Sequence, residues 1–284
     1  CRQNAQTPTS SQLGDRLLPI QVGVGARGGC EAAVHVVRRY IPSMKDDSIL
    51  VKLDFQNAFN SVRRDVMLRA VADQIPGIYK FCLLSYGGST ELKFGDHIIC
   101  SEEGAQQGDP LGSLLFCLAV HPLLTSLSSD LKVAFMDDVT LGGRSPTVVN
   151  DVKAIIARGT DFGLSLNIGK CEVISKTGRV IDAELASFLQ LTPDTATLLG
   201  APLCAGAAMD ACLETRCDDL ARAVGRLKDV AAHDALMLLT NCLSAPKLLH
   251  TLRSAHCEGH RLLQRFDDLQ RSALCQMSNV SLTD

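Results

Sequence analysis

No cysteine pair in this chain has the C-x-x-C spacing, although it holds 12 cysteines in 284 residues. The nearest metal-like arrangements are Cys212-x4-Cys217 and the His256-Cys257…His260 cluster, and neither gives the two-plus-two ligand set of a structural zinc site. The cysteines lie scattered in apolar segments (Cys82, Cys117, Cys242), as free thiols of a reducing compartment do. There is no excess of basic charge: net charge is −3, so any contact with nucleic acid must be local. No tract of like charge marks a tail, and no internal repeat or low-complexity tract occurs. An unbroken apolar run is also missing. The most apolar stretch, Leu111–Leu127, contains Gly112, His121 and Pro122, too interrupted to span a bilayer. The polar start, CRQNAQTPTSSQLGD, is no signal peptide, so a soluble intracellular protein is expected. A start at Cys1 without an initiator Met points to a fragment or processed product.

What is present centres on Leu131–Gly143, LKVAFMDDVTLGG. An apolar run ending in Phe135-Met136 meets two adjacent acids, Asp137 and Asp138. Val139-Thr140-Leu141 then resumes the run and stops at Gly142-Gly143. The pattern predicts a β-hairpin with paired carboxylates at its tip. Asp-Asp is a good turn dipeptide, so a solvated turn explains it in isolation. A hard divalent cation with a preference for oxygen ligands would relieve the repulsion, a reading that the rest of the chain, not this stretch alone, brings forward.

Elsewhere the chain supplies context. Residues 1–16 read as loop. Gly23, Gly25, Gly28 and Gly29 precede a helix from about Cys30 to Ile41. No Lys-Ser/Thr follows them, so this is no NTPase P-loop; backbone flexibility and packing are the expected role. The strand candidate ILVKLDF (49–55) delivers Asp54, an acid embedded between Leu53 and Phe55. A helix capped by Ser61 should bury Val62, Leu68 and Val71, and a second should run from about Ile78 to Tyr86. Glu91–Phe94 should pair with His97–Cys100 across Gly95-Asp96. In GAQQGDPLGSLLFCLAVHPLL, Asp109 is placed to cap a helix beginning at Pro110 and kinked or ended by Pro122. Capping explains Asp109-Pro110 but leaves Gln106-Gln107-Gly108 unexplained. A helix opened by Ser145-Pro146 and ended by Gly163 follows, then a short strand CEVIS and a strand and turn in TATLLGAPL. Beyond about Gly206 the pattern changes to amphipathic helices (about 208–226, 232–243 and 260–275) carrying Arg or Lys at 216, 222, 226, 228, 247, 253, 261, 265 and 271.

Three carboxylates thus stand at predicted strand ends, Asp54, Asp137 and Asp138. A small antiparallel sheet could bring those ends together, giving a site for two ions roughly 3.5–4 Å apart, the spacing that serves in-line phosphoryl transfer. LDFQNAFNSV, GAQQGDPLGSLLF, AFMDDVTLGG, GLSLNIGKCEVI and LLGAPL stand in the order and spacing of successive reverse transcriptase motifs. The chain most resembles the reverse transcriptases of non-LTR (LINE-type) retrotransposons, over roughly residues 15–205. DALMLLTNCLSAPKLLHTLR looks like the thumb that follows in such elements.

That resemblance implies an α+β right-hand polymerase palm, a ferredoxin-like antiparallel sheet backed by helices, with a partial fingers segment (1–48), the palm (49–205) and an all-helical thumb or connection (206–284). It implies RNA-directed DNA polymerase activity: dNTPs are added to a DNA primer 3′-hydroxyl on an RNA template, with two Mg²⁺ ions (or Mn²⁺) and no organic cofactor or membrane. Asp54, Asp137 and Asp138 would ligate the ions, joined by the backbone carbonyl of Phe55. Phe59 would be the steric gate under the incoming sugar, leaving no room for a 2′-hydroxyl. Gln107 and Gly108 would line the nucleotide pocket, and Phe135-Met136 would lie beside the primer terminus. Lys170 would protonate pyrophosphate, unless it is simply a solvated lysine. Residence would be nuclear for synthesis primed on chromosomal DNA, or cytoplasmic. The sequence departs from the pattern ahead of the glycine segment, where Cys1–Gly14 carries only Arg2. An inactive or truncated fragment that binds RNA or a partner is the alternative. A cyclase or RNA-directed RNA polymerase is disfavoured by Gln107-Gly108-x-Pro110 and by the aromatic Phe59.

Overall fold

An antiparallel sheet carries the three acids. The structure, a computed structural model, describes residues 10–180 and 182–278. The described residues fall into two units, one within Cys1–Ala33 and Tyr40–Leu191, the other within Val34–Arg39 and Thr192–Asp284. The division at Leu191 falls earlier than the boundary at 205 expected from sequence.

The helices of the first unit are α1 (Ser10–Leu17), α2 (Gly29–Tyr40, whose middle groups with the second unit), α3 (Ala58–Ser61), α4 (Arg64–Gln74), α5 (Tyr79–Tyr86), α6 (Gly112–Thr125) and α7 (Ser145–Gly159). Its strands are β1 (Ser48–Leu53), β2 (Thr90–Phe94), β3 (His97–Ser101), β4 (Leu131–Phe135), β5 (Asp138–Arg144), β6 (Glu172–Ile174) and β7 (Leu189–Leu191). Five of these strands form one sheet in the order β4-β5-β1-β6-β7, antiparallel except for the parallel β6–β7 pair. Strand alternation sends Ile49, Val51 and Leu53 to one face. There they join Leu141 and Val173 in a core with Met67 and Val71 of α4, Leu115 and Leu118 of α6, and Val152 and Ile155 of α7. Lys52 and Asp54 take the opposite face, where Lys52 pairs with Glu172 at 2.6 Å.

Several local expectations give way to tertiary packing. The expected loop over 1–16 lies outside the described residues as far as residue 9, but from Ser10 the chain is helical, anchored by the fully buried Leu17. Ser61 does not cap a helix: α3 ends at Ser61, Val62 is extended and buried, and α4 starts at Arg64. Gly142 and Gly143 do not stop β5, which continues to Arg144. A Cβ at Gly142 would lie 2.7 Å from Leu50 Cδ2 and 3.0 Å from Tyr40 Cε1, so the missing side chain makes room for the other layer. Helix α6 begins at Gly112, not Pro110, and runs through Pro122. An interior proline costs about 3 kcal/mol. Burial of Leu123 and Leu124 contributes about 1.5–3 kcal/mol each, enough to carry the helix one turn further. The β2–β3 hairpin forms as expected across Gly95-Asp96, with Gly95 at φ 59°. A positive φ at only the first turn residue is the type II′ pattern.

The second unit contains the small hairpin β8 (Thr197–Leu198) and β9 (Ala201–Pro202), then α8 (Ala207–Leu227), α9 (Ala232–Leu238), α10 (Ala245–Ser254) and α11 (Arg261–Ser278). Helix α10 is absent from the sequence reading. A π-helical turn, Leu239–Leu243, joins α9 towards it. Leu213, Cys217, Leu220, Leu248 and Phe266 form this unit's core. Arg222, Arg226 and Lys247 line a cavity of about 420 Å³ on it. No helix among the described residues is long and apolar enough to cross a membrane.

Candidate active site

The β1–β5 register sets Leu53 opposite Val139, so the next residues, Asp54 and Asp138, leave the sheet side by side. Phe135 pairs with Asp138 at the end of the β4–β5 hairpin, which leaves Met136 and Asp137 as its turn. The acids feel one another. Asp137 titrates above the usual carboxylate range, chiefly through burial, with the charge of Asp54 adding to the rise. Asp138 is more open to solvent, yet protein crowding raises it as well. The charges of Asp137 and Asp54 push it further up, and Lys52 pulls it back. The three expected carboxylates therefore share one place, at the sheet's open end.

No group of three or more His, Cys, Asp or Glu side chains among the described residues is gathered tightly enough to hold an ion unaided. The donors are all carboxylate oxygens under mutual repulsion, which fits a hard divalent ion. Mg²⁺ keeps several waters and is completed by substrate phosphate, so a loose protein set suits it better than a closed cage.

Asp54 is held through its backbone by the GLSLNIGKC segment. Asn167 N–H donates to the Asp54 carbonyl (2.8 Å) and Gln56 N–H to the Ser165 carbonyl (2.9 Å), flanking a bridge between Phe55 and Leu166. In that antiparallel pattern the Phe55 carbonyl points away from the bridge. The buried Cys171 thiol sits 3.5 Å from the Asp54 amide. Lys170 stands exposed on the short 3₁₀ turn after Asn167.

Phe59, on α3, is stacked on Phe116 of α6 with ring centroids 4.5 Å apart. The thiol of the next α6 residue, Cys117, is pushed up to about 12 by burial and by the charge of Asp137. Ala105 N–H donates to the Phe59 carbonyl (2.7 Å), tying the Gln106-Gln107-Gly108 turn to the same corner. Gln107 and Gly108 are exposed there, with Gly108 at φ 88°.

Sequence reasoning missed the residues that brace these segments. Tyr86 is buried, its hydroxyl donates to the Asp109 carboxylate, and it accepts from Gln106 N–H at 3.3 Å. Burial first, then that bond to Asp109, pushes Tyr86 up to about 12. Asp109 also accepts from Leu111 N–H (2.9 Å), so it fixes the turn ahead of α6. The buried Arg64 donates to the carbonyls of Gly104 (3.0 Å), Gly88 (3.3 Å) and Ser101 (2.7 Å) and lies over the Tyr86 ring. Gln21 contacts the acid hairpin from 115 residues away. Tyr86, Arg64 and Gln21 have no local sequence signal, because each meets partners brought near only by folding, whereas Asp109 is expected at this turn as a cap.

Residues 13–203 match the family model of the reverse transcriptase (RNA-dependent DNA polymerase). The chain is 30% identical over 171 residues to the SLACS retrotransposable element 132 kDa protein of Trypanosoma brucei gambiense, covering 56% of this chain and 14% of that protein. It is also 30% identical over 166 residues to a retrovirus-related Pol polyprotein from the type-1 retrotransposable element R2 of Popillia japonica, covering 49% of this chain and 27% of that protein. The chain thus spans well under a third of the length of either relative. Among solved structures it is similar to telomerase from Candida albicans, at 12% identity and TM-score 0.47 over 95% of this chain and 52% of that one. With the family match running over two thirds of its length and across both acid motifs, the chain belongs to the reverse transcriptase, or RNA-dependent DNA polymerase, family.

Proposed function

We propose that this chain is the polymerase core of a non-LTR, LINE-type retrotransposon protein, extending a DNA primer on an RNA template. The observation that carries the reading is the meeting of Asp54, Asp137 and Asp138 at one sheet end. Bound divalent ions would supply activation of the primer 3′-hydroxyl and charge neutralisation at the triphosphate. Asp54 and Asp137 would hold them, with Asp138 and the Phe55 carbonyl completing the oxygen set.

The remaining work belongs to the chain. Phe59, backed by Phe116, gives the sugar a flat apolar floor, and the rigidity of a stacked ring makes that floor selective. Gln107 and Gly108 present an exposed turn against which the templated base pair can lie. Phe135 and Met136 flank the primer terminus at the hairpin tip. Lys170, exposed on the turn that follows Asn167, supplies a proton to the leaving pyrophosphate. The second unit serves as the thumb, with Arg222, Arg226 and Lys247 facing the duplex phosphates. Residues 1–48 would form a partial fingers segment, and residence would be nuclear where priming uses chromosomal DNA.

Extension of a DNA primer annealed to an RNA template, with dNTPs and Mg²⁺, tests the reading. The expected products carry the base complementary to the template and vanish on chelation with EDTA. Binding of the template–primer without any extension, in Mg²⁺ or Mn²⁺, would favour the inactive-fragment alternative.

A further inference from the structure

Met136 sits where a sheet cannot serve it. It lies past the end of β4 at φ 59°, a left-handed conformation that a non-glycine residue adopts only when its surroundings impose it. Its N–H and C=O therefore need partners from outside the hairpin, and both come from one side chain. Gln21 Oε1 accepts from Met136 N–H at 2.6 Å, and Gln21 Nε2 donates to the Met136 carbonyl at 2.9 Å. The same Oε1 accepts from Gly23 N–H at 3.3 Å. A primary amide offers one acceptor and paired donors, the complement of a peptide group, and these partners permit only one orientation of it.

The surroundings fix the amide in turn. Gln21 is 0% exposed. Its own backbone forms a parallel bridge with Ala134 on β4, through Ala134 N–H to the Ile20 carbonyl (2.7 Å) and Val22 N–H to the Ala134 carbonyl (2.8 Å). Gly23 lets the segment close on the tip, since a Cβ there would stand 2.6 Å from Met136 N. The stretch 20–23 thus acts as an added edge that grips the hairpin immediately before Asp137.

We propose that Gln21 is a positioning residue for the polymerase reaction: by clamping both peptide groups of Met136, it sets where Asp137 and Asp138 stand relative to Asp54. The inference rests on the polymerase reading for its kinetic consequence, but the clamp itself is testable without it. A buried side chain that merely filled space would be replaced by an apolar one of similar volume with little effect on chemistry. A clamp would not, because a misplacement near 1 Å at the reacting centre costs about 10²-fold in rate.

The test compares wild type with Gln21→Met and Gln21→Glu in single-turnover extension on an RNA template, alongside amide hydrogen exchange. Gln21→Met should lower kcat about 10–100-fold, the range for residues that hold metal ligands in place. KM for dNTP should change less than about threefold, as expected when the loss falls on the transition state rather than on binding. Exchange should quicken at residues 135–138 while β1 and β6 keep their protection. Gln21→Glu retains the acceptor half of the clamp and should fall between the two. It also carries the test if Gln21→Met does not fold, through the same split between kcat and KM. Unchanged kcat in a folded Gln21→Met, or faster exchange spread evenly over the sheet, would overturn the proposal. Should wild type itself fail to extend a primer, the polymerase reading falls alone. The exchange pattern at 135–138 then still decides whether Gln21 holds the tip.

Discussion

Asp137→Asn should reduce RNA-templated extension by at least about 10³-fold, a loss of roughly 4 kcal/mol of transition-state stabilisation. The substitution keeps the shape of the side chain and removes only its charge. Asp137 is raised by burial and by the nearby Asp54, so its ionised form is held at a cost in the folded protein. Neutralising it relieves repulsion, and the melting temperature should stay the same or rise slightly. That combination separates a lost ligand from a lost fold. Extension at the wild-type rate in Asp137→Asn would remove Asp137 from the site. A large drop in melting temperature would mean that the carboxylate serves structure.

Phe59→Val should admit ribonucleotides, reducing discrimination against them by about 10–200-fold, the range for a change of one or a few methylene-sized groups in a pocket. In the proposed gate, the stack on Phe116, at 4.5 Å between centroids, would hold the ring rigid against a 2′-hydroxyl. Its removal also forfeits about 0.5–1.5 kcal/mol of aromatic pairing, so a modest fall in stability should accompany the change. Competition between a dNTP and its matching rNTP for one template base gives the number directly. Sugar selectivity equal to wild type would sink the gate assignment, whatever the stability.

Much of the palm can be read from sequence because its elements are set by short-range pattern. The strand delivering Asp54, the hairpin across Gly95-Asp96 and the Asp137-Asp138 tip all lie within one or two residues of their expected places. The acids themselves are legible too, since acids in apolar surroundings need a reason. What stayed hidden depends on approach between distant segments. Gly142 looks like a strand terminator until Leu50 and Tyr40 are seen to occupy its missing side chain. Pro122 looks like a helix stop until the burial of Leu123 and Leu124 outweighs it. Gln21 and Arg64 read as ordinary polar residues, yet each is buried against backbone groups from other motifs, Gln21 at Met136 and Arg64 at Gly88, Ser101 and Gly104. Of the four glycines read as serving backbone flexibility and packing, Gly29 is a packing position, where a Cβ would meet the Val22 carbonyl at 1.9 Å, whereas Gly28 has open space around it and φ 63°.

Asp54, Asp137 and Asp138 together would hold the divalent ions of a polymerase. Mn²⁺ binding followed by electron paramagnetic resonance tests it most directly, using the chain with an RNA template, a dideoxy-terminated primer and the next dNTP. Wild type should bind two ions per complex, the number in-line phosphoryl transfer uses. An Asp54→Asn/Asp137→Asn variant should lose at least one of them or bind it about tenfold or more weakly. Two ions bound with undiminished affinity by the doubly substituted chain would contradict the account.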